Sequence, residues 1–442
     1  MRILILHEID DLASARRTSV NHAFCLIKYA PQNEYTLHSA RQPVTSRLRN
    51  QNFDAIILDT TFLTWRWAKP KSLRLDRILE EYAFIAKSNA VKIALPQDEY
   101  DHSELLDDWL ANWKVDLIYS VCHEHRDEFY PRAGKHAAIV EGLTGYVDDA
   151  DVAIMQRYSV PFRERKIDVG YRAKALPVYF GRLGRMKSEL GDRFRSGMTG
   201  RGLKLDISTH PCDVLVGDAW LQFLGNCRFT LGCESGSSLI DPRGDIRACV
   251  ERQLQRNRSA RFEELERICF PGQDMNRVYS AVGPRLLEAA IAGSCQILTP
   301  GKYAGALNPG EHYIPVEPDC SNADAVFEQM QDDSANEARI GACYRALVDN
   351  PKFRYRHVVS DMLAQIRNIA DKKGLALARG GVRSAQPDEE ADLREAFTLS
   401  TLRTHQHHIE DMKEIRFVPN FLHTFAVVLG RLVLRLGRRI RG

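Results

Sequence analysis

Short apolar runs alternate with amphipathic stretches along the first 145 residues of the chain. The runs are Ile3 to His7, Tyr35 to His38, Ala55 to Asp59, Val91 to Leu95, Leu117 to Val121 and Ala137 to Val140, each of strand length. Between them, Leu75 to Ala86 and Glu104 to Trp113 repeat apolar residues at helical spacing. Such alternation predicts βαβ units and a mostly parallel, doubly wound sheet.

The pattern restarts after a charged segment, Arg163 to Lys166. Strands are expected at Ile167 to Tyr171, Leu203 to Ile207, Phe229 to Gly232, Gln296 to Thr299 and Tyr313 to Val316. Helices are expected at Ala219 to Leu224, Phe262 to Ile268, Pro284 to Ala292 and Ala323 to Met330. The fold class is therefore α/β, with two Rossmann-like domains, 1–165 and 166–375, facing across a cleft, and a helical C-terminal extension, 376–442. No internal sequence repeat or low-complexity tract interrupts either half.

The extension differs in character. Ala378 to Asp392 is rich in Gly, charge and small residues and reads as a linker. The apolar run near the end is too short to span a bilayer and is broken by Arg431. As a helix it sets Arg431, Arg435 and Arg438 on one face and turns Leu432, Val433, Leu436 and Ile440 away, although Leu434 falls on the basic side. Two readings stay open: a basic amphipathic helix on an anionic membrane surface, and a helix packed on the body or on a second subunit.

Composition narrows the class. The 442 residues exceed one ordinary core, and 44% hydrophobic with 27% charged residues is the balance of a soluble globular protein. A formal net charge of +3 gives no sign of a nucleic-acid partner. Ten scattered cysteines without a CxxC fit reduced, mostly buried thiols in a cytoplasmic protein, peripheral on the membrane face if the tail binds lipid. The start, MRILILHEIDD, lacks the basic and long apolar regions of a signal peptide.

The richest stretch is Val282 to Leu298, VGPRLLEAAIAGSCQIL. Gly283 and Pro284 suit a helix start, and Gly293 a helix end. Ala289, Ala290 and Ala292 keep one face thin, so that backbone can approach a ligand and the first-turn amides can meet phosphate. Glu288 sits about one turn in, where a carboxylate can accept hydrogen bonds from ribose hydroxyls; the same string also serves plain helix packing.

This stretch resembles the donor-site helix of GT-B glycosyltransferases: a Gly-containing turn, an EA-small-small-G helix end, then a strand. The chain as a whole looks like a divergent branch similar to spore-maturation-protein-like and group 1 glycosyltransferases of bacterial polysaccharide synthesis. The resemblance implies that Gly283, Arg285 and Glu288 contact a nucleoside diphosphate sugar. Retaining members carry Glu-x7-Glu, and Glu288 matches the second glutamate, but the first falls on Ser280. The resemblance also implies no cofactor and no metal, with cations and helix dipoles carrying the diphosphate.

Two further elements lie in the second half. In Gly181 to Lys187, GRLGRMK, Arg182 and Lys187 are cations near a glycine turn that can hold a diphosphate, with Arg172 a rival and a solvated helix face the plain alternative. In Leu231 to Gly236, LGCESG, a strand runs into a small polar loop, placing Glu234, Ser235 and Gly236 where ligands bind in open α/β sheets. Tyr303, with Gly305 and Asn308, occupies an equivalent strand end.

The first domain supplies the acceptor side and the catalytic base, a carboxylate or His able to take a proton from a hydroxyl. Asp98 or Glu99, in LPQDEYDH, leads and His7 follows; Asp98 also suits a helix N-cap. His123 and His125 flank Glu124, but HxH with no matching cluster elsewhere does not make a metal site. The expected partners are a nucleotide sugar and a glycan or lipid-linked acceptor. A degenerate GT-B scaffold or sugar-binding subunit and a sugar-nucleotide epimerase are the alternatives. A dinucleotide dehydrogenase is disfavoured, since the first strand runs into HEIDDLASAR and not a G-x-G-x-x-G turn.

Overall fold

In the computed structural model of the chain, residues 1–9, 12, 15–67 and 74–378 are described. The predicted tail, including all its arginines, lies outside the described residues. The apolar runs form two parallel sheets. The first joins β1 (Arg2–His7), β2 (Glu34–Ser39), β3 (Ala55–Leu58), β4 (Val91–Ala94), β5 (Leu117–Ser120) and β6 (Ala138–Glu141), in the order β2-β1-β3-β4-β5-β6. The second joins β7 (Ile167–Arg172), β8 (Leu205–Ser208), β9 (Cys227–Gly232), β12 (Cys295–Leu298) and β13 (Ile314–Pro315), in the order β13-β12-β9-β7-β8.

Both sheets share one topology, since β7, β8, β9, β12 and β13 repeat the order of β1 to β5. In each, the winding reverses between the first and third strands, which opens a crevice beyond their carboxyl ends. Helices cover both faces, so β3, β4, β5 and β12 are buried at every position. A short antiparallel ribbon of β10 (Ser235–Ser237) and β11 (Tyr279–Ala281) stands apart from both sheets. The periodicity did not reveal it, because three-residue strands carry no period. A side chain at Gly236 would run into the Tyr279 carbonyl oxygen, so only glycine fits there.

The chain passes twice between the halves at one place. Val147 N–H donates to the Phe353 carbonyl at 2.7 Å, and Tyr355 N–H to the Val147 carbonyl at 3.1 Å. Beyond the first crossing, the helix Asp149–Tyr158 packs through Met155 on Leu221 and Leu224 of the second half. Beyond the second, the helix Tyr355–Lys372 returns to the first sheet and buries Tyr355, Val359, Met362, Leu363 and Ile366 there. A shared apolar cluster of Leu143 and Val147 with Val282, Leu286 and Leu287 welds the two halves beside the crossing.

One departure concerns the thiols. Cys249 and Cys269 form a disulfide, with Cα atoms 5.6 Å apart, linking the helices Asp245–Arg256 and Phe262–Cys269. The short turn between these helices folds them back on each other, which spacing along the chain did not disclose. The other cysteines are free, and all but Cys212 and Cys233 are buried. No helix among the described residues is long and apolar enough to cross a membrane.

Arg66 fixes the loop that follows β4. Its guanidinium is fully buried and donates to the carbonyls of Leu63 (2.9 Å), Gln97 (2.5 Å), Asp98 (3.1 Å) and Asp101 (3.2 Å). The indole of Trp67 covers it, 4.3 Å from ring centroid to guanidinium carbon. Arg66→Ala strands these carbonyls in a dry interior and leaves a cavity. It is expected to cost about 3–5 kcal/mol in urea unfolding followed by tryptophan fluorescence.

Candidate functional site

The carboxyl ends of β7, β9 and β12 face those of the first sheet, and the residues between them line the site. After β9 the chain turns through Cys233 and Glu234 into the ribbon, and β11 leads into Gly283 and the helix Pro284–Ile291. Proline at the first position and Gly283 before it start this helix, and no side chain caps it. Its N-terminus therefore presents partial positive charge to the cleft. Gly283 packs on Ser235: a Cβ there would lie 2.9 Å from the Ser235 hydroxyl.

Lys187 reaches the same point from the helix Gly181–Gly197. Its ammonium donates to the Ser235 hydroxyl at 2.5 Å, and Tyr171 holds its backbone through a 2.7 Å bond to the Lys187 carbonyl. Burial pushes the Lys187 ammonium down, and nearby Arg285 pushes it further, against Cys233 and Asp98. Burial also pushes Arg285 down, with Tyr171 and Glu288 opposing. Two cations are thus crowded together beside a helix N-terminus, an arrangement that favours an anion between them.

Glu288 lies one turn along. Burial pushes its carboxyl up, and the Trp220 indole N–H, donating at 2.8 Å, opposes that. Together these place Lys187, Ser235, Gly283, Arg285 and Glu288 in one constellation.

The first half closes over it. The Thr144 hydroxyl donates to the Val282 carbonyl at 2.7 Å, and the Gln97 amide to the Thr144 carbonyl at 3.1 Å. A Cβ on Gly145 would touch both Thr18, at 3.0 Å, and Pro284, at 3.4 Å, so the starts of two helices from different halves meet there. Arg17 pairs with Asp151 across this junction at 2.5 Å. Arg16 is exposed beside it, within electrostatic reach of Arg285. Arg16, Arg17, Thr144 and Trp220 are not among the residues expected from the sequence. A cation pair at the start of the helix Arg17–Tyr29, which follows β1, was the signal available for the first two.

Other expected site residues are placed elsewhere. Arg182 does not share the cleft with Lys187: five residues along a helix set them on different faces. Its guanidinium pairs with Glu266 at 2.6 Å and Asp274 at 3.5 Å. The amides of Arg182 and Leu183 are taken by Asp274 and Ser238, so this helix start is already capped. Arg172, the rival cation, is held by Asp206 at 2.7 Å. Glu234 accepts the Tyr303 N–H at 2.8 Å, and the Tyr303 phenol is buried against the Thr299 carbonyl at 2.5 Å. These two fix the loop after β12 instead of offering groups to a ligand. Gly236 serves the ribbon. Ser280 is buried in β11 opposite Gly236.

The base candidates separate in the same way. Glu99 is 0% exposed and accepts from Val121 N–H at 2.8 Å, Cys122 N–H at 3.3 Å and the Tyr130 hydroxyl. Burial pushes its carboxyl up. It is sealed from solvent by two backbone amides and the Tyr130 phenol. His7 is 1% exposed, and its Nδ1 accepts the Ile9 N–H at 3.1 Å. Burial takes it down to about 4, against the pull of Asp59, so it is not presented to an acceptor. Asp98 is half-buried, accepts the Tyr100 hydroxyl at 2.5 Å and has a left-handed backbone (φ 50°). A non-glycine residue in that region stores strain of the kind found at functional loops.

The two histidines around Glu124 diverge. His123 meets Glu141 at 3.0 Å and His125 meets Glu128 at 3.3 Å. Among the described residues no group of three or more His, Cys, Asp or Glu is placed to hold a metal ion.

No family model and no curated protein sequence matches the chain. Among solved structures, it is similar to an α-glucosyltransferase in complex with UDP and a 13-mer DNA containing an HMU base. That match has a TM-score of 0.48 and 11% identity, covering 83% of this chain and 99% of that one. It is similar to Anabaena HepE in complex with UDP and glucose, with a TM-score of 0.43 and 10% identity over 83% of this chain and 99% of that one. It is also similar to AviGT4, a glycosyltransferase involved in avilamycin A biosynthesis, with a TM-score of 0.44 and 10% identity over 84% and 98%.

The burial of His7 sets a pH dependence. Its folded value, about 4, lies below the unfolded 6.5, so protonation favours the unfolded chain. Stability is full above the unfolded value and falls as pH drops from 6.5 toward 4, by about 3 kcal/mol for this group. His7→Gln is expected to flatten that slope in urea unfolding measured across this range.

Proposed function

We propose that this chain is a glycosyltransferase that moves a sugar from a nucleoside diphosphate sugar to a glycan or lipid-linked acceptor, in bacterial surface polysaccharide synthesis. The observation that carries the reading is the meeting of Lys187, Arg285 and the uncapped start of the helix Pro284–Ile291 at the carboxyl ends of the second sheet, with Glu288 one turn away. A diphosphate supplies the negative charge that two crowded cations and a helix N-terminus favour, and its ribose brings hydroxyls to a carboxylate.

In this reading the donor half binds the nucleotide and the cleft orients the sugar toward the first half. Lys187, Arg285 and the helix amides take up the charge that grows on the diphosphate as the glycosidic bond breaks. Asp98, alone among the three expected bases in not being sealed, is the group that receives the acceptor proton. Cations do the work of a divalent ion, so the reaction is expected to proceed in a chelator.

A second reading, a scaffold that has lost turnover, draws on Ser280. It stands where retaining enzymes carry an acid, and it is buried in the ribbon.

The test is a thermal-shift panel of UDP, GDP, CDP and TDP with a set of their sugars. Ligand at 100 times its Kd is expected to stabilise the protein by about 2.7 kcal/mol. One nucleotide should raise the melting temperature; Lys187→Ala should abolish that rise, and Glu288→Ala, which keeps the diphosphate contacts, should reduce it. With the matching donor and an acceptor, Asp98→Asn should cut turnover by about 10²–10⁴-fold while leaving the thermal shift in place. No shift with any nucleotide contradicts the reading, and a shift without sugar transfer favours the scaffold.

A further inference from the structure

Trp220 stands on the helix Asp218–Gly225, at the carboxyl end of the second sheet. Its indole N–H donates to Glu288 at 2.8 Å. One face of its ring stacks on Phe223, with centroids 5.6 Å apart and planes 25° from parallel. The Arg285 guanidinium lies 5.7 Å from the ring centroid. Phe223 in turn carries Arg172 at 4.5 Å, and Arg172 is anchored by Asp206 at 2.7 Å. The result is a ladder of cation, ring, ring and cation running from the β8 edge into the cleft.

With Phe223 on one side and Arg285 close by, the indole is engaged as a holder and is poorly placed as a platform for a nucleobase. Its polar edge is spent on the one carboxylate of the candidate nucleotide site. We infer that Trp220 is a positioning residue: it fixes the Glu288 carboxylate and the Arg285 guanidinium so that the site reads the ribose hydroxyls of a nucleotide. This rests on the reading of Glu288 as the ribose acceptor.

A carboxylate with one oxygen held by a neutral donor keeps its other oxygen aimed and retains lone pairs for a hydroxyl. The charged groups facing Glu288 are Arg285 on its own helix, Asp151 from the helix Asp149–Tyr158 and Arg17 from the first half. Asp151 and burial push the carboxyl toward its neutral form, while the indole N–H, Arg285 and Arg17 favour the ionised form that accepts hydroxyls. Removing the N–H therefore raises the pH at which the carboxylate is lost as acceptor.

Trp220→Phe keeps the ring ladder and removes only the N–H donor. Binding of UDP, GDP and their 2′,3′-dideoxy forms by isothermal titration tests the inference on the full chain, with Glu288→Ala in parallel. The wild type should prefer the ribose form of the nucleotide it binds. Trp220→Phe should weaken that form about tenfold, leave the dideoxy form unchanged, and move the acid limb of ribose-form binding to higher pH. In Glu288→Ala the ribose preference should vanish, and adding Trp220→Phe should change it no further. Equal weakening of both forms would mean that Trp220 only supports the fold locally, and no weakening would mean that it does not act on Glu288; either overturns the inference while leaving the nucleotide site standing. A wild type with no ribose preference, unaltered by Glu288→Ala, overturns the assignment of Glu288 itself.

Discussion

A buried guanidinium organises the edge of the first half that meets the second. Arg66 is out of water, and its charge is spread over four backbone carbonyls, three of them in the loop Gln97 to Asp101. That loop carries Asp98 into the cleft and Gln97 to Thr144. It also carries the docking edge, where Asp241 N–H donates to the Tyr100 carbonyl at 2.8 Å and His102 N–H to the Asp241 carbonyl at 2.7 Å. A carbonyl can wait on water at a surface but not in a core, so the loop and the guanidinium specify each other. The left-handed backbone of Asp98 and His102 is tolerated because that network over-determines it.

The two halves meet through two kinds of contact with different consequences. The apolar cluster around Leu143, Val147 and Leu286 is buried and sits beside the double crossing of the chain, where it joins the halves. Arg243 with Glu104, at 2.6 and 2.7 Å, and Lys352 with Glu141, at 3.1 Å, are exposed or half-exposed pairs at the rim. Pairs of that sort contribute little and yield to salt, so they can open without threatening the fold. Between cluster and rim lies the cleft, where Lys187 and Arg285 disfavour each other's charge while Asp98 favours the one and Glu288 the other.

Much of the architecture was legible in the chain, and the reason is periodicity. Strands that are buried on both faces read as unbroken apolar runs, and the helix Ala323–Met330 emerged with the expected limits. At the candidate site, the proximity of Gly283, Arg285 and Glu288 was legible because helix spacing ties them to about one turn. What failed was direction. Arg182 and Lys187 are neighbours in a motif and diverge in space because 100° per residue separates them. Glu99 and Asp98 are adjacent at a strand end, and one is turned into the core while the other stays half-open. Tyr303 and Glu234 look like ligand groups at two strand ends, yet Glu234 accepts the Tyr303 backbone N–H and the Tyr303 phenol donates to the Thr299 carbonyl. Trp220 and Thr144 reach the site only through contacts between segments far apart in sequence, and no local pattern encodes those. The Cys249–Cys269 bond follows from the fold-back of two helices and has the same origin.

The measurement that bears most directly on the cleft is amide hydrogen exchange with and without a saturating nucleoside diphosphate sugar. If the diphosphate sits between Lys187, Arg285 and the start of the helix Pro284–Ile291, exchange should slow at Arg285 to Leu287, at Ser235 and, through closure of the halves, at Gln97 to Asp98. Protection confined to other surfaces, with these amides exchanging as in the free protein, would contradict the account.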